Sequence, residues 1–420
     1  MHEWTCHEIS RRVRAGDISA EEVVAHHLDR IEARGELNAF VTVARERALL
    51  DARSLAREGR LGALAGVPFA PKDLFDTAGL RTTYGSALFR DHVPTRTATA
   101  VQRLVDAGAI VVGKTNLHEF AWGVTSKNPF YGTVGNPRRP GYIAGGSSGG
   151  SAAALSAGLA ALSIGTDTGG SIRIPSYACG TSGFKPSHGL VPIDGCYPLA
   201  PVFDHAGPMA RTMEECALAL AVLADVPRPE PRLAGLRVGV LGAIADTGKL
   251  EASGAHCEEA ALPPWEHALP IFAAECAYTH RELYPARREE YSPDLQRKLE
   301  PGFELSAVTY RSLWDEVAAW RVRCARELPF DVLVAPTLAC DLPLVEEEET
   351  PEYRARVTAM VRPFNWLGWP SATTRDGVMF SGRSDATVLA AALAWEADLP
   401  PARTYSSAVP TAAGSSPPSR

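Results

Sequence analysis

The hydrophobic positions of this chain change their period repeatedly, and each change marks an element. Thr5-Cys-His-Glu8 and Ser19-Ala-Glu-Glu22 are capping boxes, and apolar residues follow each at helical spacing. Val23, Leu28 and Ile31 give the second helix one apolar face, while the adjacent His26 and His27 cannot share a face and read as solvated. Residues 38–43 form a short strand and 44–57 a charged surface helix. The apolar run from Gly66 to Phe75 has strand character, 98–107 is helical, and 109–112 (Ala-Ile-Val-Val) is a buried strand. Residues 152–162 are rich in alanine and leucine without a charge, which suits a buried helix. Beyond the proline-rich connector at 225–231, residues 236–241 and 331–337 read as strands and 263–328 as helical. In that helical region Trp314 and Trp320 lie on apolar faces and the charged residues form a solvated face; 386–397 is a closing helix. Helices alternating with short buried strands predict an α/β fold around a core sheet.

Composition narrows the function more than the fold. The 420 residues, 45% apolar and 22% charged, describe a soluble globular chain of one large domain or two. A net charge of -7 offers no basic field for direct contact with nucleic acid, although docking to tRNA through a basic partner stays open. No run approaches the length of a membrane span, and Met1-His-Glu-Trp-Thr has no apolar signal core, so the expectation is a cytoplasmic protein without a membrane segment. The 8 cysteines are scattered without a C-x-x-C pair and read as reduced thiols, Cys179 among them as packing; no metal is implied.

The chemistry concentrates between Gly145 and Lys185. Two glycine- and serine-rich turns, Gly145-Gly-Ser-Ser-Gly-Gly150 and Gly165-Thr-Asp-Thr-Gly-Gly-Ser171, flank the small-residue segment. Such clusters are commonly slack linkers, but a buried helix is not flanked by slack linkers, so a site is the better reading. Backbone N–H groups at Gly169, Gly170 and Ser171 make an oxyanion nest, with Ser171 as the nucleophile beside it. A serine needs a base. Lys72 is a lone cation within the apolar run 66–75; a lysine is usually exposed or paired, but desolvation here lowers its pKa toward that of a useful base.

Two motif matches mislead. Gly108-Ala-Ile-Val-Val-Gly-Lys-Thr115 satisfies the phosphate-loop pattern, yet its middle residues are strand formers rather than turn formers. Gly145-Gly-Ser-Ser-Gly149 fits the nucleophile elbow, but Pro137-Arg-Arg-Pro-Gly-Tyr precedes it where a strand is required, and no histidine stands out as partner.

GGSSGGSAAA, GTDTGGSIRIP and GFKPS together resemble the amidase signature family, and GVPFAPKDLFDTAG resembles that family's lysine segment. Ser147 and Ser171 stand 24 positions apart, as in that family, and further matches at Gly113-Lys-Thr-Asn, Asn136-Pro-Arg, Gly207-Pro-Met-Ala-Arg-Thr and Pro363-Phe-Asn extend the likeness. The resemblance implies a mixed twisted sheet with helices on both faces, as one domain over 1–398. Its catalytic core would cover about 60–225, a variable substrate-facing region 226–330, and a return to the core 331–398; 399–420 is expected to be a disordered tail.

It also implies a Ser-cisSer-Lys triad: Ser171 as acyl-enzyme nucleophile, Ser147 as bridging serine after a cis Gly146–Ser147 peptide, and Lys72 as base. Thr168, Gly169, Gly170 and Ser171 would form the oxyanion hole, and Asp167 and Arg173 would hold the turns. Trp122, Gly123 and Gly146 would line the substrate site, Trp122 favouring a small or flat acyl group. The implied activity is hydrolysis of a small-molecule amide without cofactor. Open alternatives are the glutaminase subunit of a tRNA amidotransferase, working with partner subunits, an acyl transferase or an inactive scaffold; a homodimer is open too. After 241 and after 371 the chain is shorter than the family pattern, and Glu346-Glu-Glu-Glu349 reads as a loop rather than a metal site.

Overall fold

The computed structural model describes residues 1–58, 61–244, 247–264 and 268–405. Ten strands form one mixed sheet: β1 (Pro68–Pro71), β2 (Ile110–Val111), β3 (Leu162–Asp167), β4 (Ser182–Lys185), β5 (His205–Ala210), β6 (Arg237–Leu241), β7 (His256–Ala260), β8 (Val332–Pro336), β9 (Ser371–Thr373) and β10 (Val378–Ser381). Their spatial order is β7-β6-β8-β10-β9-β4-β5-β3-β1-β2. Pairing is parallel at both margins, β7-β6-β8 and β3-β1-β2, and antiparallel through the centre.

Both faces of the sheet are covered, and single strands feed both layers. Along β8, Val332 and Val334 join one apolar cluster with the N-terminal helices and the closing helix Asp385–Ala397, while Leu333 and Ala335 join the other with the helices of 268–327 and 351–367. This is the strand's period of two read out as two cores.

The N-terminal capping boxes divide: Ser19–Glu22 is reciprocal, whereas at Thr5 only the hydroxyl cap from Glu8 N is made. His27 corrects its reading as solvated: it is buried, its Nδ1 lies 2.9 Å from Val23 O, and burial pushes its pKa down to about 3. His26 stacks on His2. The small-residue segment is also corrected. Its helix, α1 (Gly149–Ser156), starts earlier and ends earlier than 152–162, because Gly158 at φ +65° turns the chain and Leu162 opens β3.

After β6, where the chain is shorter than the family pattern, a helix of six residues, Thr247–Ala252, is followed by β7 at the sheet edge. The helical region resolves into α2 (Ala268–His280), Tyr284–Arg287, α3 (Pro293–Glu304) and Ala307–Glu327; then come α4 (Pro351–Thr358) and α5 (Arg362–Leu367). Of the tail, 399–405 crosses the N-terminal segment, with Tyr405 N donating to Ser156 O at 2.9 Å; residues 406–420 lie outside the described residues.

Candidate active site

Strand β3 is buried at every position and delivers Asp167 to the base of the turn Thr168-Gly169-Gly170-Ser171. Asp167 is the hub of that turn. Its carboxylate accepts Gly170 N at 2.8 Å and Ile172 N at 3.1 Å, and it takes Arg173 through two bonds, Nη2 at 2.9 Å and Nε at 3.0 Å. Arg173 reaches on to Val361 O (2.8 Å) and Asn365 Oδ1 (2.6 Å), and Asn365 Nδ2 returns to Asp167 at 2.8 Å. Both charged side chains are fully buried. Burial alone would raise the Asp167 pKa, but the Arg173 charge and its hydrogen bonds hold the carboxyl far below the usual range. The pair is thus internally satisfied, its hydrogen bonds going to the turn and to Val361 and Asn365.

The set of backbone donors that this turn can offer is smaller than the sequence implied. Gly170 N–H is consumed by Asp167, so the donors left at this turn are those of Thr168, Gly169 and Ser171. A Cβ on Gly169 would meet nothing within 4 Å, so this glycine borders open space. Thr168 is pinned by its hydroxyl, which donates to Asp204 Oδ1 at 2.6 Å. Ser171 is 7% exposed and lines the cleft, with no hydrogen-bond partner for its hydroxyl among the described residues.

Lys72 follows β1 directly and is 0% exposed. Its Nζ donates to Ser147 Oγ and to Thr166 Oγ1, each at 2.7 Å. No carboxylate pairs with it among the described residues, and burial pushes its pKa down to about 7. Another buried lysine nearby has a different fate. Lys114, the lysine of the phosphate-loop pattern, lies 3.2 Å from Asp73 and donates to Phe75 O and Thr82 Oγ1 at 2.6 and 2.7 Å, so it is a structural cation.

The Gly146–Ser147 peptide is cis. Ser147 O accepts His118 N at 3.3 Å and Ser126 Oγ at 3.2 Å, and Ser148 N donates to Ser171 O at 3.3 Å, which lays the two serine turns side by side. Gly146 is in close quarters: a Cβ there would approach Thr125 N to 2.7 Å. The elbow reading fails at its base, since α1 begins within the motif and no strand precedes it.

A cleft of about 610 Å³ opens from Ser171. Trp122 and Gly123 line it; Phe120 and Ala121, at φ 44° and 63°, carry the backbone through the left-handed region just before Trp122, whose ring packs edge-on against Phe272 at 5.6 Å. The charged wall beside them was not anticipated. Lys298, on α3, pairs with Asp294 at 2.5 Å and Glu349 at 3.4 Å and donates to Trp122 O at 2.8 Å. Glu349 is the last residue of the acidic run read as a plain loop; it accepts Thr125 Oγ1 at 2.9 Å and has Arg354 3.8 Å away. Asp294 and Lys298, read as part of a solvated face, are instead turned inward. Among the described residues no three His, Cys, Asp or Glu side chains converge as a metal site, and no helix is long and apolar enough to cross a membrane.

The comparisons with known proteins agree on the class of molecule. The family model described as Amidase matches residues 22–233. A glutamyl-tRNA(Gln) amidotransferase subunit of Moorella thermoacetica is 34% identical over 466 residues, covering 93% of this chain and 96% of that protein. Its counterpart of the same description from Chromohalobacter salexigens is 40% identical over 306 residues, 65% of this chain and 63% of that protein. A solved structure described as an amidase superposes with a TM-score of 0.86 at 32% identity, covering 94% of this chain and 100% of that one. This chain belongs to the amidase family. It is accordingly a hydrolase of amide carbon–nitrogen bonds, built on that family's mixed sheet with helices on both faces.

Proposed function

We propose that this protein hydrolyses a small-molecule amide through an acyl-enzyme on Ser171, with Lys72 as the base and Ser147 as the proton bridge. The observation that carries the reading is the contact of a fully buried, acid-free lysine with Ser147 Oγ at 2.7 Å, beside the turn that exposes Ser171 to the cleft. A lysine whose pKa burial has pushed to about 7 is substantially neutral at physiological pH and can accept a proton. Ser171 Oγ attacks the carbonyl carbon, its proton passes to Ser147 Oγ, and the Ser147 proton passes to Lys72 Nζ. The backbone N–H groups of Gly169, Ser171 and Thr168 hold the oxyanion. The relay then runs backward and protonates the leaving nitrogen; the C–N bond breaks and the amine departs. Water attacks the acyl ester by the same path and releases the carboxylate and free Ser171.

Ser171→Ala and Lys72→Ala should each remain folded and lose nearly all turnover of any amide the wild type cleaves; full activity in either overturns the assignment. A panel of primary amides, anilides and amino-acid amides defines the substrate.

A second reading is favoured by the names of the relatives: the chain works within an amidotransferase, releasing ammonia from glutamine to partner subunits. The alignment with the Moorella thermoacetica protein runs over 466 positions against 420 residues in this chain, so that relative carries segments absent here. Glutaminase assays of the isolated chain, with and without co-purified partners, separate the two readings. We place the protein in the cytoplasm in either case.

A further inference from the structure

The charged wall of the cleft is almost completely self-paired. Asp294 is held by Lys298 and, at 3.6 Å, by Arg297; Glu349 is held by Lys298, Arg354 and the Thr125 hydroxyl. Arg362 breaks this pattern. It lines the same cleft, is largely withdrawn from solvent, and has no hydrogen bond or ion pair with any described residue. The charged group that acts on it is Arg354, a like charge; burial and Arg354 together push its pKa down to about 10. A guanidinium largely stripped of water and given no anion is held at a cost that an incoming carboxylate removes, because its planar fork matches a carboxylate in two parallel bonds.

Its location ties it to the reacting centre. Arg362 opens α5, and the residue before it, Val361, is packed onto the nucleophile turn: Val361 O accepts Arg173 Nη1 at 2.8 Å, and Val361 Cγ2 fills the space that a Cβ on Gly170 would need. Across from it, Trp122, Phe272 and Leu199 offer an apolar wall. The cleft therefore presents a scissile-bond station at Ser171, an apolar wall for a short hydrocarbon chain, and one unmet positive charge.

We propose that the cleft selects amides that also carry a carboxylate, and that Arg362, backed by Arg354, binds that carboxylate. This rests on the hydrolase reading for its biological sense, but the binding itself can be measured without turnover. The carboxylate stands on the acyl side, as in glutaramate, or on the amine side, as in N-butyryl-β-alanine; the shared chemistry is the same.

The test uses the full-length Ser171→Ala protein and calorimetric titration with glutaramate, N-butyryl-β-alanine and neutral pentanamide. At least one charged amide should bind on the order of 30-fold more tightly than pentanamide, as befits a buried hydrogen bond between charged groups. Adding Arg362→Gln should erase that preference, and Arg362→Lys, which keeps the charge and loses the fork, should restore part of it. Equal binding of all three amides overturns the proposal, and so does an Arg362→Gln variant that weakens charged and neutral amides alike. A carboxylate preference in a wild-type protein that turns over no amide leaves the anion site standing and sinks the hydrolase reading; turnover without the preference does the reverse.

Discussion

The floor of the cleft and its outer wall treat charge in opposite ways. On the floor, Asp167 and Arg173 close on each other and on Asn365 with no exposed edge, and Lys72 sits between two hydroxyls with its pKa pushed down to about 7. On the wall, Lys298, Asp294, Glu349 and Arg354 form an open chain along the cleft, and Arg362 is left over. A closed set positions a backbone turn; an open one has capacity for a ligand. The contrast between Lys72 and Lys114 makes the same point within the floor. Both are fully buried, yet Asp73 lies 3.2 Å from Lys114, whereas among the described residues no acid pairs with Lys72, which is why the proposed relay runs through Lys72 and not Lys114.

The comparison breaks most visibly at the nucleophile. Ser171→Ala is expected to lower kcat/KM by about 10⁴-fold or more without changing the thermal midpoint, because in the proposed relay Ser171 acts as one unit with Lys72 and Ser147. Steady-state kinetics and calorimetric melting check the pair of outcomes.

Next in size is the closed pair. Arg173→Met leaves Asp167 buried with an unpaired charge and should destabilise the fold by about 3–5 kcal/mol, with loss of activity in proportion to the disordered turn. Arg354→Met on the open wall, where the side chain is partly exposed, should cost no more than about 1 kcal/mol. Denaturant midpoints for the two variants measure the difference; equal costs would mean that the wall is as closed as the floor.

Lys72 also carries a stability signature. Folding lowers its pKa from 10.5 to about 7, so between these values the unfolded chain binds one more proton than the native one. Native stability should therefore rise with pH across that window, by up to about 1.4 kcal/mol per unit, and level off below pH 7. Lys114 and Lys185, also buried with lowered pKa values, add slope of the same sign, so Lys72→Met should reduce the slope by up to about 1.4 kcal/mol per unit rather than abolish it, as read from unfolding curves at pH 7, 8 and 9.

The smallest effect concerns the glycines. Gly170→Ala places a Cβ against Val361 and Ile174 at φ +122° and should destabilise by about 1–3 kcal/mol, whereas Gly169→Ala meets no atom and should act on turnover more than on melting.

These two regions also differ in how far they could be read from the residues alone. The floor was legible because its chemistry is local: the turn 165–171, the turn 145–150 and the run 66–75 each carry their geometry in consecutive glycines, serines and one misplaced lysine. One slip there, taking 152–162 as one helix, arose because the alanine- and leucine-rich run continues past Ser156 to Leu162 with Gly158 as the one local mark of the turn. Likewise nothing local reveals that Asp167 consumes the Gly170 N–H. The wall was not legible. Asp294, Lys298, Glu349, Arg354 and Arg362 come from α3, a loop and two later helices, and in sequence each looks like an ordinary solvated charge. Glu349 is the clearest case, since its three acidic neighbours give no hint that it alone turns inward to Lys298 and Thr125.

Where the acyl group goes, and what governs its arrival, tests the relay most directly. Quench a reaction with a slowly hydrolysed aryl amide, map the modified peptide by mass spectrometry, and repeat the rate of adduct formation from pH 5.5 to 9. The adduct is expected on Ser171, absent from Ser171→Ala, and forming faster as pH rises through about 7 as Lys72 loses its proton. An adduct on another residue, or a rate on Ser171 that does not change across that range, would contradict the relay.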